Sequence, residues 1–235
     1  MPSPVLVLPG LLEDADAFEP QLASLREVTT CEVADLTRGD SIGKLAEDAL
    51  AQAPQGPLAV AGHSMGGYVA LEMVRRWPAR VERLALLNTH ARPDSAESTE
   101  NRRRLMALAE RDFPGVIQAL TPKLLAPAHQ GDPGMTGTLS EMALGAGKEA
   151  FLRQERAIIG RIDSRPGLGA IRCPTLVVAA AQDQLRSLAE AREMADAIPG
   201  ATLAVIEDSG HMIPIEAPQR LLDVIVPWLA AHADA

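Results

Sequence analysis

One short stretch constrains the fold of this chain more than any other. Residues 62–67 read Gly-His-Ser-Met-Gly-Gly, between an apolar run of buried-strand type at residues 57–61 and a helical pattern at residues 68–77. A serine at such a sharp strand-to-helix turn has its hydroxyl exposed on a strained backbone, while the flanking glycines let strand and helix approach each other. The positive end of the helix favours negative charge that develops beside it. Ser64 is therefore the candidate nucleophile.

Gly-x-Ser-x-Gly alone also occurs in ordinary turns. The assignment of Ser64 therefore depends on whether an acid and a histidine follow at suitable positions. A phosphate-binding loop is excluded, because no Gly-Lys-Ser/Thr follows the glycines.

Short apolar runs alternate with helical patterns along most of the chain. Strands are predicted at residues 5–8, 28–34, 57–61, 83–88, 173–180 and 201–206. Helices are predicted at residues 16–25, 42–53, 68–77, 187–198 and 218–231. This alternation indicates an α/β fold, with a parallel sheet covered by helices on both faces.

The alternation stops between residues 91 and 165. Helical patterns there cover residues 97–111, 114–120, 138–144 and 148–162, and the last places Phe151, Ile158 and Ile162 on one face. We expect this stretch, named the helical insertion, to lie over the sheet edge as a cap. The predicted domains are a core of residues 1–90 and 166–235 and a cap of residues 91–165.

Polar side chains in the helical insertion are expected mostly to face solvent. Arg102, Arg103 and Arg104 occupy consecutive helical positions that point in different directions, so they cannot all line one pocket. A solvated face is the favoured interpretation, and the alternative is that one of them meets an acidic group of a substrate or partner. His129 lies in a Pro/Gly-rich loop and is expected to be solvated.

Composition argues against several classes of function. The chain of 235 residues has a net charge of −9 and only 3% aromatic residues, which disfavours nucleic acid and anionic membranes as partners. No apolar run approaches a membrane span, and residues 1–10 lack the basic head of a secretory signal. Cys31 and Cys173 are interpreted as reduced core residues, and no Cys/His cluster has metal-ligand spacing. We expect a soluble cytoplasmic protein without a metal.

Three residues suited to nucleophilic catalysis follow predicted strands. Ser64, Asp183 and His211 each lie just beyond a strand's carboxyl end, where sites in open parallel sheets gather. A serine hydroxyl is a weak nucleophile until an imidazole takes its proton. A carboxylate fixes the tautomer of that imidazole and stabilises its charge. The order serine, acid, histidine therefore predicts a catalytic triad.

Two other carboxylates compete with Asp183 as the acid. Asp94 lies six residues past the strand that ends at Asn88, at the start of the helical insertion. Asp208 is only three residues from His211 and is expected to bond local backbone N–H groups. Asp183 is anchored just beyond a buried strand, so we predict that its carboxylate hydrogen-bonds Nδ1 of His211.

Together these motifs resemble the α/β-hydrolase superfamily. They are Gly-x-Ser-x-Gly around Ser64, Gln182-Asp183 after a Pro-Thr-Leu-Val-Val strand, and Asp-Ser-Gly-His ending at His211. The resemblance spans nearly the whole chain and is greatest to small bacterial carboxylesterase-type members that need no cofactor. It implies that Ser64 is the nucleophile, His211 the general base and acid, and Asp183 the orienting acid.

The resemblance also implies an oxyanion hole made by the backbone N–H groups of Leu11 and Met65. This chain has Pro9-Gly10 where many members have His-Gly, and no proline shortly after the acid. We expect the usual first two strands, one of them antiparallel, to have no counterpart in the sheet. We therefore expect a sheet of six parallel strands.

The implied activity is hydrolysis of an ester, thioester or lactone of a small or medium acyl compound. Two alternatives stay open: a lyase or C–C bond hydrolase that uses the triad mainly as a base, and a non-enzymatic receptor that retains the triad. His63 is expected to be structural, because neighbouring side chains diverge at a sharp turn. His90 and His232 have no catalytic context.

Overall fold

A single sheet organises the protein, whose computed structural model describes residues 2–230. Its six strands are all parallel and lie in the order β2-β1-β3-β4-β5-β6. They are β1 Val5–Leu8, β2 Cys31–Val33, β3 Leu58–His63, β4 Val81–Leu87, β5 Thr175–Ala180 and β6 Thr202–Ile206. The prediction of six parallel strands is confirmed.

Ten α-helices connect or follow these strands within the described residues. They are α1 Glu19–Arg26, α2 Ile42–Gln52, α3 Met65–Arg76, α4 Ala96–Leu124, α5 Pro133–Ala146, α6 Lys148–Ile159, α7 Arg165–Leu168, α8 Leu188–Ala197, α9 Ile213–Glu216 and α10 Pro218–Ala230. None of these helices has the length and apolar character needed to cross a membrane. Ala231, at the end of the last predicted helix, and His232 lie outside the described residues.

The four central strands, β1, β3, β4 and β5, are mostly apolar on both faces because helices cover both. Side chains alternate along a strand, so Leu6 and Leu8 of β1 belong to the core cluster that includes residues of α2, α3 and α8, while Val5 and Val7 belong to the cluster that includes residues of α1 and α10. This is why the strands are continuous apolar runs in the sequence. The carboxyl ends of β3, β5 and β6 then bring three distant chain segments to one edge.

The second strand is shorter than predicted over residues 28–34. The N–H groups of Val28 and Thr29 donate to the carbonyl of Leu25, at 3.1 and 2.9 Å, and close the end of α1. Val28 is therefore 44% exposed, and β2 begins only at Cys31. The predicted helix over residues 16–25 likewise divides into a 3-10 turn, Ala15–Phe18, and α1.

The helical insertion contains α4, α5 and α6. The first two predicted helices form one run, α4, which is interrupted at Asp112 (φ −150°, ψ 74°). Asp112 Oδ1 accepts the N–H of Gly115 at 2.9 Å and so caps the second part. Similarly, Asp132 caps α5 through Gly134 and Met135, so α5 begins before the predicted residue 138.

The last predicted helix of the insertion ends early. α6 stops at Ile159, before Gly160, and Ile162 beyond it is 52% exposed. The prediction that Ile162 shares the buried face of Phe151 is therefore wrong. Phe151 instead packs against Phe113 of α4, with ring centroids 5.8 Å apart, in a small core that includes Leu12 of the loop after β1. The division into a core and a cap domain remains a prediction.

Candidate active site

Ser64 lies at the turn between β3 and α3. Its backbone has φ 51° and ψ −114°, a conformation that a residue with a side chain rarely adopts. The N–H of Ser64 donates to the carbonyl of Leu87 at 2.9 Å, and its carbonyl accepts from Thr89 Oγ1 at 2.8 Å. These contacts to the end of β4 hold the strained turn in place.

Glycine is required on both sides of the serine. A Cβ on Gly66 would lie 1.9 Å from the carbonyl oxygen of Leu8, and one on Gly62 would lie 2.4 Å from the carbonyl oxygen of Gly66. Backbone atoms cannot yield to such contacts as a flexible side chain can. The close approach of strand and helix expected from the sequence is therefore present.

His211, in the loop between β6 and α9, faces Ser64 and Asp183. Its Nε2 is 2.8 Å from Ser64 Oγ, and its Nδ1 is 2.7 Å from Asp183 Oδ2. The predicted hydrogen bond between Asp183 and Nδ1 is thus found. Because a carboxylate accepts, Nδ1 carries a proton, and neutral Nε2 is free to accept the proton of Ser64.

Asp183 is held as an oriented carboxylate. Its Oδ1 accepts the backbone N–H groups of Leu185 and Arg186 at 2.7 and 3.0 Å. Burial alone would raise the pKa of Asp183, but the charge and hydrogen bond of His211, with these two N–H bonds, outweigh burial and lower it. The acid is therefore ionised and aimed at His211.

Neither competing acid hydrogen-bonds His211. Asp94 accepts from Arg161 at 2.9 Å and from Thr99 at 2.8 Å. Asp208 is exposed and makes none of the predicted bonds to backbone N–H groups of the described residues. Both ring nitrogens of His211 are already occupied. Neither acid therefore completes the triad geometry in this structure.

The backbone around Leu11 and Met65 is positioned beside Ser64. Met65 is the first residue of α3, where the N–H has no partner inside the helix. On either side of Leu11, Gly10 donates its N–H to Glu13 Oε2 at 2.7 Å and Leu12 donates to Gln154 Oε1 at 2.9 Å. The loop is thereby pinned to the helical insertion, and Leu11 and Met65 both line the cavity that contains Ser64.

That cavity has a volume of about 340 Å³ and lies between the sheet edge and the helical insertion. Its lining includes Ser64 and His211 on the sheet side. The opposite side is mostly apolar and comes from α4, α5 and α6: Leu105, Ile117, Leu120, Leu139, Met142 and Ile158. Such a site suits an apolar part of a small molecule beside Ser64.

A sequence model described as the alpha/beta hydrolase fold matches residues 37–218, more than half of the chain. This chain belongs to the α/β-hydrolase fold family. The thermophilic esterase from Thermogutta terrifontis superposes on it with a TM-score of 0.87 and 30% identity, covering 97% of this chain and 89% of that one. The enol-lactonase from Burkholderia xenovorans LB400 gives a TM-score of 0.87 and 25% identity, covering 97% and 92%.

A Caulobacter sp. (strain K31) protein whose name is that of a carbamate hydrolase is 29% identical over 177 residues. The match covers 74% of this α/β-hydrolase and 66% of that relative, slightly under two thirds of its length.

The three consecutive arginines of this α/β-hydrolase separate as expected, but one is not solvated. Arg103 is exposed, and Arg104 pairs with Glu100 on the surface at 3.1 Å. Arg102 instead faces the cavity, where it donates to Glu155 at 2.8 Å and lies 3.4 Å from Asp94. The solvated-face interpretation is wrong for Arg102, whose charge is met by carboxylates of its own chain.

His63 is structural in a way that the sequence does not reveal. It is fully buried, with Nδ1 2.9 Å from Glu13 Oε2 and Nε2 2.8 Å from the carbonyl oxygen of His211. Burial would lower the pKa of His63, but the charge and hydrogen bond of Glu13 raise it. Both ring nitrogens face oxygen acceptors, so His63 donates twice and supports the backbone of His211.

Asn88 also supports the His211 loop, and the sequence analysis missed it. Its Nδ2 donates to the carbonyls of Gly210 and His211 at 3.0 and 2.8 Å, and its Oδ1 accepts the N–H of Ala180 at 2.8 Å. Asn88 directly follows β4 at the same sheet edge. A polar residue at the end of a central strand was the available signal.

Glu216 links the same loop to the helical insertion. Its carboxylate accepts the N–H groups of Ala126, Gly210 and Met212, at 2.7, 2.9 and 3.1 Å. His129 Nδ1 lies 2.9 Å from Glu216 Oε2, so the prediction that His129 is merely solvated is wrong. His129 lies in the loop after α4, and Glu216 lies in α9. The two are 87 positions apart, so their contact could not be predicted from sequence spacing.

No group of His, Cys, Asp and Glu within residues 2–230 has the arrangement of a metal site. Both cysteines are free thiols, and burial raises the pKa of Cys31 to about 11.

Proposed function

We propose that this α/β-hydrolase is a serine hydrolase that cleaves an ester, thioester or lactone of a small or medium acyl compound. One observation carries the proposal: Asp183, His211 and Ser64 are joined by contacts of 2.7 and 2.8 Å beside an apolar cavity. The esterase and the enol-lactonase among its structural relatives support the substrate class. Carbamate cleavage by the Caulobacter relative would be acyl transfer of a related kind.

The chemistry begins with proton transfer within the triad. Ser64 Oγ forms a bond to the acyl carbon while its proton moves to His211 Nε2. Asp183 stabilises the imidazolium that results. The carbonyl oxygen becomes an oxyanion, which the backbone N–H groups of Leu11 and Met65 and the N-terminus of α3 would stabilise.

The intermediate then collapses to an acyl-enzyme. The bond between the acyl carbon and the leaving group breaks, and His211 gives its proton to the departing atom. A water molecule next loses a proton to His211 and attacks the acyl carbon. Ser64 Oγ leaves with that proton, which restores the enzyme and releases the acid.

The helical insertion would act as a cap that selects the acyl group. Its helices supply most of the apolar lining opposite Ser64. We infer a small-molecule acyl substrate as the partner, since the reacting groups lie inside the cavity instead of on an open face.

Fluorophosphonate labelling combined with turnover of p-nitrophenyl esters of graded chain length tests the proposal. Mass spectrometry should find the adduct on Ser64, and Ser64→Ala should stay folded while losing at least about 10³-fold in kcat. Ser140→Ala is a matched control, because Ser140 lies in α5 outside the cavity lining and its Oγ donates to the carbonyl of Thr136. Labelling of Ser64 without turnover of any ester would instead favour the receptor or the lyase.

A further inference from the structure

Arg186 places a guanidinium at the cavity wall, where no carboxylate of residues 2–230 forms an ion pair with it. It follows Asp183 in the loop before α8, is half-buried, and lines the same cavity as Ser64 and His211. Its Nε is buried and makes no hydrogen bond to any described residue. Leaving a donor of a charged group unpaired is unfavourable, so this guanidinium favours an acceptor at the cavity wall.

The neighbouring cations are already neutralised. Arg102 contacts Glu155 and Asp94, and Arg161 contacts Asp94 at 2.9 Å. Both are therefore satisfied by the protein itself. A negatively charged ligand gains little from them, because its charge would have to compete with carboxylates already in place.

The first acid after Arg186 in the sequence is also engaged. Glu190 accepts from the N–H and Oγ of Ser187 at 2.8 and 3.0 Å and lies 3.2 Å from Nδ1 of His90. The charge of Arg186 also reaches His90: burial lowers the pKa of His90, and the charges of Arg186 and Arg161 lower it further against the opposing effect of Glu190. Arg186 therefore brings to the cavity wall a positive charge with which no described residue forms an ion pair.

We propose that Arg186 binds a carboxylate carried by the substrate, remote from the bond that is cleaved. The substrate would then be an anionic ester, thioester or lactone, a class that rests on the proposed function. An arginine fork suits a carboxylate because it donates two parallel hydrogen bonds. The apolar lining would hold the carbon chain between the two ends.

The loop geometry fixes this anion site relative to the chemistry. Asp183 Oδ1 accepts the backbone N–H of Arg186, so the backbone that carries the guanidinium is tied to the triad. A carboxylate held there would place the acyl carbon at a constant distance from Ser64. We therefore expect a preferred spacer length, and not merely a preference for negative charge.

The test compares charged and neutral esters of matched length. Monomethyl esters of dicarboxylic acids of four to seven carbons are compared with methyl esters of the corresponding monocarboxylic acids in a pH-stat. A second series, butanoyl esters of hydroxy acids, places the carboxylate on the alcohol side and separates that source of the anion from the acyl side. Wild type, Arg186→Gln, Arg186→Lys and Arg192→Gln are measured. Arg192 is the control, since it is an exposed arginine on α8 outside the cavity lining.

Wild type should prefer a charged ester of one spacer length. Arg186→Gln should lower the ratio of charged to neutral kcat/KM by about 10- to 100-fold, as for loss of a charge-assisted hydrogen bond. Arg186→Lys should recover part of that ratio, and Arg192→Gln should leave it unchanged. Added salt should raise KM for the charged series alone.

An unchanged ratio in Arg186→Gln, or equal losses on charged and neutral esters, would overturn the assignment while the hydrolase proposal stands. Calorimetric binding of glutarate gives a readout that needs no turnover. Wild type should bind it more tightly than Arg186→Gln by a similar factor, even if no ester is cleaved. Equal binding by the two proteins would equally overturn the anion site.

Discussion

The cavity has a floor, the sheet edge that carries Ser64, Asp183 and His211, and a roof, the helical insertion. Each is held in place by a different kind of contact. On the floor, the backbone fixes the reactive groups: Ser64 is bonded through its own main chain to β4, and Asp183 is fixed by two N–H groups of its loop. On the roof, side chains hold side chains, as Arg102 does with Glu155. Burial raises the pKa of Glu155, although Arg102 opposes that shift.

This difference between backbone and side-chain contacts indicates which part of the cavity controls the reaction rate and which controls selectivity. Backbone contacts at strand ends leave little freedom, so the triad distances follow from the sheet. Side-chain pairs between helices can be exchanged without moving the sheet, so the shape and charge of the cavity can vary separately. Changes to the floor should therefore affect the rate or the fold, whereas changes to the roof should affect selectivity.

Asp183→Asn is expected to have the largest effect on rate. It should lower kcat by roughly 10³–10⁴ while the protein stays folded, by analogy with the serine-protease triad, because the wrong imidazole tautomer is favoured. Steady-state kinetics with a p-nitrophenyl ester measures this. Asp94→Asn and Asp208→Asn are the comparison variants and should cost much less in rate. A crippled Asp94 or Asp208 variant beside an active Asp183→Asn would reassign the acid.

Gly66→Ala should have the largest effect on stability, because it tests the close backbone packing that holds the turn at Ser64. The new Cβ would lie 1.9 Å from the carbonyl oxygen of Leu8, so we expect a loss of roughly 3 kcal/mol or more in unfolding free energy. Gly145→Ala in α5 is the matched control on the roof, because a Cβ there meets nothing within 4 Å. It should be neutral or stabilise by about 0.5 kcal/mol. Chemical denaturation of both variants decides, and equal stabilities would contradict the account.

Leu105→Ala should alter selectivity more than stability. Leu105 lines the cavity from α4, and its truncation should improve kcat/KM of longer acyl esters relative to shorter ones by about tenfold. Leu108→Ala on the same helix is the control, since Leu108 is 46% exposed and lies outside the lining. If both variants kept the wild-type chain-length profile, the acyl pocket would lie elsewhere.

Glu190→Gln should have the smallest effect, and it should depend on pH. The contact with His90 and the bonds from Ser187 outweigh burial and lower the pKa of Glu190 from 4.5 to about 2. Because this pKa is lower in the folded state, the ionised carboxylate stabilises that state at pH values above the unfolded pKa of 4.5. This stability is lost as the pH falls from 4.5 toward 2. Wild type should exceed the variant by about 1 kcal/mol at pH 7, after discounting for partial exposure. Urea unfolding at pH 7 and pH 3 should show the gap narrowing, and a constant gap would refute the cause.

The parts of the site that could be predicted from the sequence are those encoded locally. The strand, Ser64 and α3 are adjacent in the chain, and Asp183 and His211 follow apolar runs that can be recognised singly. The chain order and the sheet edge then bring the three together. The contacts that were not predicted join residues that no neighbouring motif or strand end distinguishes in the sequence.

Glu13 and His63 are 50 positions apart, and Ala126 and Glu216 are 90 apart. Nothing in the neighbourhood of Glu13 or Glu216 distinguishes it from a surface acid. The helices of the insertion were predicted as helices. Whether Arg102 on α4 would face the cavity or solvent depended on its packing against Glu155 of α6. Such contacts depend on tertiary approach, which the local pattern does not contain.

The contact of His63 with Glu13 has a consequence for the alkaline limit of the proposed hydrolase activity. The rings of His63 and His211 are 5.2 Å apart. His63 carries a proton on each ring nitrogen to donate to both of its acceptors, whereas His211 carries only one so that it can act as a base. Because the pKa of His63 is raised above 6.5, its contribution to stability is complete below that value and is lost as the pH rises through the raised value. Activity should therefore fail at high pH through loosening of the loop beneath the triad, and unfolding free energy should decline over the same pH range as kcat. If kcat fell there while stability stayed constant, the alkaline limit would belong to the chemistry instead.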